Sequence, residues 1–324
     1  MKFVFSQGVV PEAMALLQGA ETKVLNALNM AEHPADIADA DALIIRISRV
    51  PAEAIAAAKK LRVIGRTGVG FDSIDVAAAT ARGIPVVLTP GASSRSVAEH
   101  TVALLYALSK NLVESHNEQK KGNYQVRSRG VTFELSGKTI LVMGLGSIGS
   151  EVARLCRANG MRVLGYNHHM TAERIAALGA EPVEDFRKVL PECDFLTLHL
   201  PLTDQTRGLI GAEEIARMKP SAMILNCARG GIVDEKALAS ALNEGRLAGA
   251  GVDCFAQDPP DADDPLLNAR NVIATPHSAA LTKEAMIRVQ KMCLEGCLTV
   301  LRGEKWPYVA DPKVYDHPLW QGKQ

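Results

Sequence analysis

Thr139-Ile140-Leu141-Val142-Met143, run directly into Gly144-Leu145-Gly146-Ser147-Ile148-Gly149, decides the fold. The first five residues are apolar or β-branched and read as a buried strand. The glycines then open a helix over 148–158. G-x-G-x-x-G is a weak signal alone and a strong one between a strand and a helix. Gly144 permits the tight turn, Gly146 lets backbone approach a pyrophosphate, and Gly149 lets helix and strand pack closely. The helix start adds N–H groups and a partial positive charge. A dinucleotide then needs a partner for its adenosine ribose about 20 positions on. Asn167 stands there, followed by His168 and His169. Asn can bond a hydroxyl but does not repel a 2′-phosphate, so NAD is the expected cofactor and NADP stays open. No Arg or Lys follows directly to clamp a phosphate, and the two histidines read equally well as a solvated loop pair.

Strand-like and helix-like segments alternate on both sides of this turn, which argues for α/β layers around parallel sheets. Before it, strands are expected over 2–5, 23–27, 42–47, 62–65 and 85–88, with helices over 11–17, 51–61 and 74–82. The stretch 42–47 is apolar apart from Arg46, as in a strand covered on both faces. Pro51 sits in a first helical turn, where its missing N–H is harmless. These make one compact α/β domain. A long helix over 96–120 follows, dense in apolar residues up to Leu108 and polar from Glu114 on, as suits a helix bridging two domains. After the turn come strands over 162–166, 195–200, 222–226, 248–253 and 272–275. Helices are expected over 172–178, 186–190, 213–218, 235–244 and 283–301, and an irregular tail rich in Pro, Tyr and Trp closes the chain.

The 324 residues suit two domains, and 47% hydrophobic residues can fill large cores. Lys plus Arg equals Asp plus Glu at 36 each, so nothing suggests a nucleic-acid or acidic-lipid partner. The N-terminus lacks an apolar leader, and no stretch nears the ~18 apolar residues of a spanning helix. Cys156, Cys193, Cys227, Cys254, Cys293 and Cys297 form no C-x-x-C pair and read as buried thiols in a reducing cytoplasm. Cys293 and Cys297 could share a helix face, but further ligands are lacking and no metal is expected.

The glycine turn is followed in order by His199-Leu200-Pro201-Leu202-Thr203, Asn226-Cys227-Ala228-Arg229-Gly230-Gly231, Gly251-Val252-Asp253 and Thr275-Pro276-His277. Together these closely resemble the D-2-hydroxyacid dehydrogenases. Upstream, Gly65-Arg66-Thr67-Gly68-Val69-Gly70-Phe71-Asp72 and Ser96-Val97-Ala98-Glu99-His100-Thr101 resemble the phosphoglycerate dehydrogenase and hydroxypyruvate reductase branch. The resemblance implies a Rossmann dinucleotide-binding domain (98–282) inserted into a flavodoxin-like catalytic domain (1–97 and 283–324), with the active site in the cleft between them. It implies a homodimer built on the dinucleotide domain. It also implies that Ser147 and Ile148 face the pyrophosphate and that Leu200, Pro201 and Thr206 line the adenosine and phosphate side. Cys227 and Ala228 would meet the nicotinamide half by main chain, Asp253 its carboxamide, and Val69 and Gly70 N–H groups the substrate carboxylate.

The chemistry of the residues agrees with that family. Oxidising a 2-hydroxy acid needs a base for the hydroxyl proton, and His277, at a strand end after a Pro, is the candidate. Arg229, after the strand over 222–226, offers a planar fork to the substrate carboxylate and carbonyl oxygen. The family's third residue is normally a Glu paired with the His. Asp258 stands at that position, one methylene shorter, so either the backbone lies closer to His277 or the pairing is weaker or water-bridged. Ser93 stands where the branch often has Asn, near the substrate, and Ser278 and Ala280 depart from the usual residues after His277. Arg66 reads two ways: a side chain that favours a second anionic or polar group on the substrate, or a structural Arg bonding loop carbonyls. The expected activity is hydride transfer between NAD(H) and a small 2-hydroxy or 2-keto acid of the hydroxypyruvate, glyoxylate or phosphohydroxypyruvate type. The alternative is a non-catalytic NAD-sensing or corepressor-like protein of the same fold. No room is expected for a C-terminal regulatory domain.

Overall fold

The structure is a computed structural model, and it describes residues 1–322. The chain divides into two compact units, Met1–Ser93 with Thr282–Gln324, and Ser94–Leu281. The change of unit falls where the helix Ser94–Ser109 begins and just before the helix Lys283–Leu301 begins.

In the first unit, β1 (Lys2–Phe5), β2 (Glu21–Val24), β3 (Ala42–Ile45), β4 (Val63–Arg66) and β5 (Val86–Val87) form a five-stranded sheet in the order β2-β1-β3-β4-β5. All pairings are parallel, and this is the flavodoxin-type order. Parallel strands are buried on both faces, and β3, Ala-Leu-Ile-Ile, is buried at every residue. Leu43 and Ile45 pack into one layer with Met30, Ile37, Ile55 and Ala79. Ala42 and Ile44 face the opposite layer, which the helix Lys283–Leu301 fills with Cys293, Leu294, Cys297 and Val300. That helix lies hard on β4: a Cβ at Gly65 would sit 2.6 and 2.7 Å from the sulfurs of Cys293 and Cys297.

In the second unit, β6 (Thr139–Met143), β7 (Arg162–Tyr166), β8 (Glu181–Pro182), β9 (Phe195–Leu198), β10 (Met223–Asn226), β11 (Gly249–Val252) and β12 (Val272–Ala274) form a seven-stranded sheet ordered β12-β11-β10-β9-β6-β7-β8. Every pairing is parallel. Counted from β6, the order is the Rossmann arrangement with one further strand, and it reverses between β6 and β9. Register matters more than order here. Met143 pairs with Leu198, Leu198 with Asn226, Asn226 with Val252, and Val252 with Ala274. The carboxyl ends of five strands are therefore level, and the segments that follow them leave the sheet along one edge.

The helix expected over 96–120 is two helices, Ser94–Ser109 and Leu112–Lys120. Asn111 breaks it, with φ at 48°, a left-handed conformation that Asn tolerates better than most residues. Its side chain then bonds Glu114 at 2.7 Å at the start of the second helix, which buries none of its residues. The strand expected over 23–27 lies earlier, at Glu21–Val24, because Asn26 turns the chain with φ at 53°. β8 was not expected; its two residues, both exposed, carry no apolar pattern.

Candidate active site

The turn after β6 has a shape that only glycine permits. Gly144 has φ at 89°, and a Cβ there would lie 2.5 Å from the carbonyl oxygen of His199. A Cβ at Gly149 would lie 1.8 Å from the carbonyl oxygen of Gly144. Gly146 differs, since nothing lies within 4 Å of its Cβ position. It is the N-cap of the helix Ser147–Ala158 and makes no side-chain cap bond to the first N–H groups. Two glycines thus seal the turn against the sheet, and the third leaves open space before the bare helix start. That is the cradle a pyrophosphate needs, with Ser147 and Ile148 as its first helical residues. The residues present fit a dinucleotide.

Asn167, after β7, uses its side-chain oxygen to accept from the His169 N–H at 3.0 Å. Its amide nitrogen is the group left for a ribose hydroxyl. His168 and His169 are exposed and lie edge to face, 5.1 Å apart. Leu200 and Pro201 follow β9, and Thr206 braces the same loop. The Thr206 hydroxyl donates to Pro201 O at 2.6 Å and accepts from the Thr203 N–H at 2.8 Å. Beneath the glycine turn lies His199. Burial pushes its imidazole down to about 3, so the ring is neutral. Its Nε2 meets Thr197 Oγ1 at 2.9 Å, while Nδ1 is buried without a partner among the described residues.

Arg229, Asp258 and His277 leave the sheet after three adjacent strands, β10, β11 and β12. The β10 turn is tied by Asn226, buried, which accepts from Ala228 N–H at 3.1 Å and donates to Arg229 O at 2.9 Å. Arg229 Nη1 donates to Ala228 O at 2.7 Å. A Cβ at Gly230 would lie 2.0 Å from the Phe255 carbonyl carbon, so the β10 and β11 loops are in backbone contact. Glu235 accepts from Ala256 N–H at 2.7 Å and braces the segment that carries Asp258, and burial pushes its carboxyl above the usual range. Burial also pushes the thiol of Cys227 up to about 12, which leaves no thiolate nucleophile beside Arg229.

Asp258 Oδ2 meets His277 Nδ1 directly. The pair is direct and not water-bridged, although the side chain is one methylene shorter than Glu. His277 has φ at 49°, an uncommon conformation for a non-glycine residue and a frequent one at functional sites. Its N–H donates to Asp253 O at 2.9 Å and Thr275 O at 3.0 Å. Asp253 itself is buried, and its carboxylate accepts from the N–H groups of Ser278 at 2.9 Å and Ala279 at 3.0 Å. The residue expected at a carboxamide therefore also holds the His277 loop.

In the first unit, Thr67–Gly70 follows β4. Arg66 Nε donates to Gly70 O at 2.6 Å and Nη1 to Thr67 O at 2.7 Å. Of the two readings of Arg66, this geometry supports the loop-bracing one. Val69 is exposed and Gly70 and Ser93 are half-buried, and Arg288 donates to Ala92 O at 3.0 Å beside Ser93. Arg46, noted in the sequence only as an exception in an apolar strand, is half-buried at the end of β3. With Ser6, Gln7, Thr67 and Gln290 it lines a recess of about 20 Å³, the size of a water site. Ser6 Oγ and Gln7 Oε1 there are buried without partners among the described residues. Burial pushes the Arg46 guanidinium down from its ordinary value. A lone cation in an apolar strand was the signal that could have marked it.

The NAD binding domain model of the D-isomer specific 2-hydroxyacid dehydrogenases matches residues 102–279, more than half of the chain. The chain is 44% identical over 306 residues to the D-3-phosphoglycerate dehydrogenase of Methanocaldococcus jannaschii, covering 94% of this chain and 58% of that one. It is 39% identical over 282 residues to the glyoxylate reductase of Korarchaeum cryptofilum, covering 86% and 85%. The crystal structure of a Thermus thermophilus protein matches with a TM-score of 0.88 and 32% identity, covering 96% of this chain and 100% of that one. The chain spans less than two thirds of the phosphoglycerate dehydrogenase it matches. It belongs to the D-isomer specific 2-hydroxyacid dehydrogenase family, whose cofactor is NAD.

Proposed function

We propose that this chain is an NAD-dependent D-2-hydroxyacid dehydrogenase that interconverts small 2-keto acids and D-2-hydroxy acids. The observation that carries the reading is the direct Asp258–His277 pair, on one sheet edge with Arg229 and the glycine turn. Bound NAD(H) supplies the hydride donor or acceptor. The chain supplies the rest. In reduction, His277 delivers a proton from Nε2 to the carbonyl oxygen, which becomes the hydroxyl; in oxidation Nε2 takes that proton back. Asp258 holds Nδ1 and so fixes which nitrogen faces the substrate. Arg229 binds the carboxylate and polarises the carbonyl. The N–H groups of Val69 and Gly70 receive the same carboxylate, with Ser93 close to the substrate. Leu200, Pro201, Thr206, Cys227, Ala228 and Asp253 line the cofactor. With Arg229 and His277 both in place, nothing observed favours a non-catalytic role.

The substrate is a small keto acid of the hydroxypyruvate, glyoxylate or phosphohydroxypyruvate type, and one with a second polar or anionic group, as in hydroxypyruvate or phosphohydroxypyruvate, is favoured. Arg46 supports this, as a half-buried cation at the carboxyl edge of the first sheet, beside the point where its strand order reverses. The enzyme works as a cytoplasmic homodimer. Six buried free thiols suit a reducing compartment. Exposed Tyr106, Leu112, Val113, Tyr124 and Val131 offer the second unit an apolar surface for a second copy. The test is a panel of 2-keto acids with NADH and NADPH side by side, followed by absorbance at the nicotinamide band. Turnover with at least one acid, and faster with NADH, is expected. No turnover with any acid overturns the reading. Arg46→Leu should slow phosphohydroxypyruvate or hydroxypyruvate far more than pyruvate.

A further inference from the structure

His100 is a histidine near the active-site loops that the proposed chemistry leaves unused. It lies on the helix Ser94–Ser109, within the second unit, and is partly buried. Its Nε2 is 3.0 Å from Thr275 Oγ1 and 3.7 Å from Asp253 Oδ1. Thr275 in turn donates its hydroxyl proton to Asp253 Oδ1 at 2.5 Å. A hydroxyl has a single proton. Since Thr275 gives that proton to a buried carboxylate, its oxygen can only accept from His100. The geometry therefore fixes the tautomer: His100 carries hydrogen on Nε2.

The chain His100–Thr275–Asp253 ends at the loop that presents the proposed acid–base residue. Asp253 is 1% exposed, so each of its lone pairs must be met inside the protein. Its carboxylate takes the Thr275 hydroxyl and the N–H groups of Ser278 and Ala279. Its carbonyl oxygen takes the N–H of His277. Those bonds close around a residue held with φ at 49°, which a lone loop would not keep. Without a donor at position 100, the Thr275 hydroxyl is free to rotate away from Asp253, and the carboxylate loses one of the partners that make the loop rigid.

We propose that His100 is a positioning residue: its Nε2–H orients the Thr275 hydroxyl onto Asp253 and so holds the 275–279 loop in the conformation that aims His277 at the substrate. This rests on the proton role of His277. It adds a requirement at a residue on a different element, which need not touch substrate or cofactor.

The test uses the full chain with NADH and either hydroxypyruvate or glyoxylate, whichever the unmutated protein reduces faster. His100→Leu removes the donor. His100→Gln keeps one where Nε2 stands. Thr275→Val and Thr275→Ser make the same pair of changes at the next link. His100→Leu and Thr275→Val should each lower kcat by about ten- to a hundredfold, as a misplacement of about 1 Å does, with the NADH Kd from fluorescence quenching within about twofold. His100→Gln and Thr275→Ser should recover most of the rate. The double variant should lose no more than the worse single one, because both break one chain. Long-range 1H–15N spectra at pH 8, with the His100 signal identified by its loss in His100→Gln, should show Nε2–H. An Nδ1–H tautomer overturns the proposal without any use of activity. So does a His100→Leu enzyme within twofold of the unmutated kcat, or a His100→Gln enzyme as slow as His100→Leu. Should His100→Leu fail to fold, the Thr275 pair and the spectra decide. His277→Asn separates the two levels: if it keeps full turnover, the proton role fails; if it is inactive while His100→Leu stays within twofold of the unmutated kcat, only the assignment to His100 falls.

Discussion

The turn after β6 and the segment after β12 leave the same edge of the same sheet, yet different forces hold them. The β6 turn owes its shape to missing atoms. Gly144 and Gly149 allow approaches of 2.5 and 1.8 Å at positions where a Cβ would stand, and no side chain caps the helix that follows. The β12 segment owes its shape to added polar groups. Asp253, which is buried, forms a bonded chain with Thr275 and His100, and its carbonyl oxygen accepts from the N–H of His277, whose φ is left-handed. A turn built by omission is rigid because little else fits, and it presents backbone N–H groups and not side chains. A segment built on a buried polar network is rigid only while each member is satisfied. The first suits a cofactor that always binds the same way. The second suits a side chain that must be aimed.

The largest effect should come from the aimed side chain itself. His277→Asn should cut keto-acid reduction by about 10²–10⁴-fold, the usual worth of acid–base catalysis, and leave NADH affinity nearly intact. Equal losses in rate and cofactor affinity would mean that the β12 segment also builds the cofactor site, and the contrast between the regions would go. Asp258→Asn should cost less, about tenfold in kcat, because the ring stays in place and loses only the group that fixes Nδ1. Asp258→Glu should not improve the enzyme, since the direct pair already forms with the shorter side chain.

Omission can be read from a sequence, and a polar network much less so. The glycine spacing after 139–143 fixed the place of the turn, and the five-residue strand before it was found to the residue at its carboxyl end. The closing helix over 283–301 was legible for a similar reason, since Thr282 caps it and apolar residues recur at its buried face. Arg229 and His277 were picked out as candidates through ordered motifs at strand ends, and Asp258 through its position in the resemblance. Asn226, Glu235, His100 and Thr275 were not given roles. Glu235, His100 and Thr275 act through partners distant in sequence, such as the 175 positions that separate His100 from Thr275, and no local pattern encodes that pairing, whereas Asn226 ties its own turn through Ala228 and Arg229. Arg66 shows the converse: its position left a substrate contact and a loop brace equally open, and its bonds to carbonyls one and four residues on support the brace.

Gly149→Ala should break the β6 turn. The added carbon would stand 1.8 Å from a backbone oxygen that cannot swing aside, so destabilisation of about 3 kcal/mol or more is expected in urea unfolding. His199, under the same turn, should carry a pH signature. Its folded value of about 3 lies below the ordinary 6.5, so the unfolded chain binds a proton between those values that the folded chain refuses. Its contribution is present above about pH 6.5 and is lost as pH falls toward 3, at up to about 1.4 kcal/mol per pH unit. His199→Asn should flatten the acid limb of a plot of unfolding free energy against pH. An unchanged limb would show that other groups set acid stability.

The smallest effect on stability, and the sharpest on the comparison, should come from Gly146→Ala. Unlike Gly144, Gly146 has φ at −69°, which alanine adopts without strain, and unlike Gly144 and Gly149 its Cβ would meet nothing within 4 Å. Folding should therefore be indifferent, or gain a few tenths of a kcal/mol from a less flexible unfolded chain. Cofactor binding should not be indifferent, because the open space above Gly146 is where a pyrophosphate would approach the bare helix start. The expected outcome is an unfolding midpoint within error of the unmutated protein together with an NADH Kd raised about tenfold or more, the reverse of the His277→Asn pattern. If NADH binds unchanged, the phosphates do not pass over Gly146, and the turn is a packing device for strand and helix with the cofactor held elsewhere on the edge. If stability falls with affinity, the space is filled in solution by protein, and the division between glycines that seal the turn and the glycine that admits a ligand is wrong.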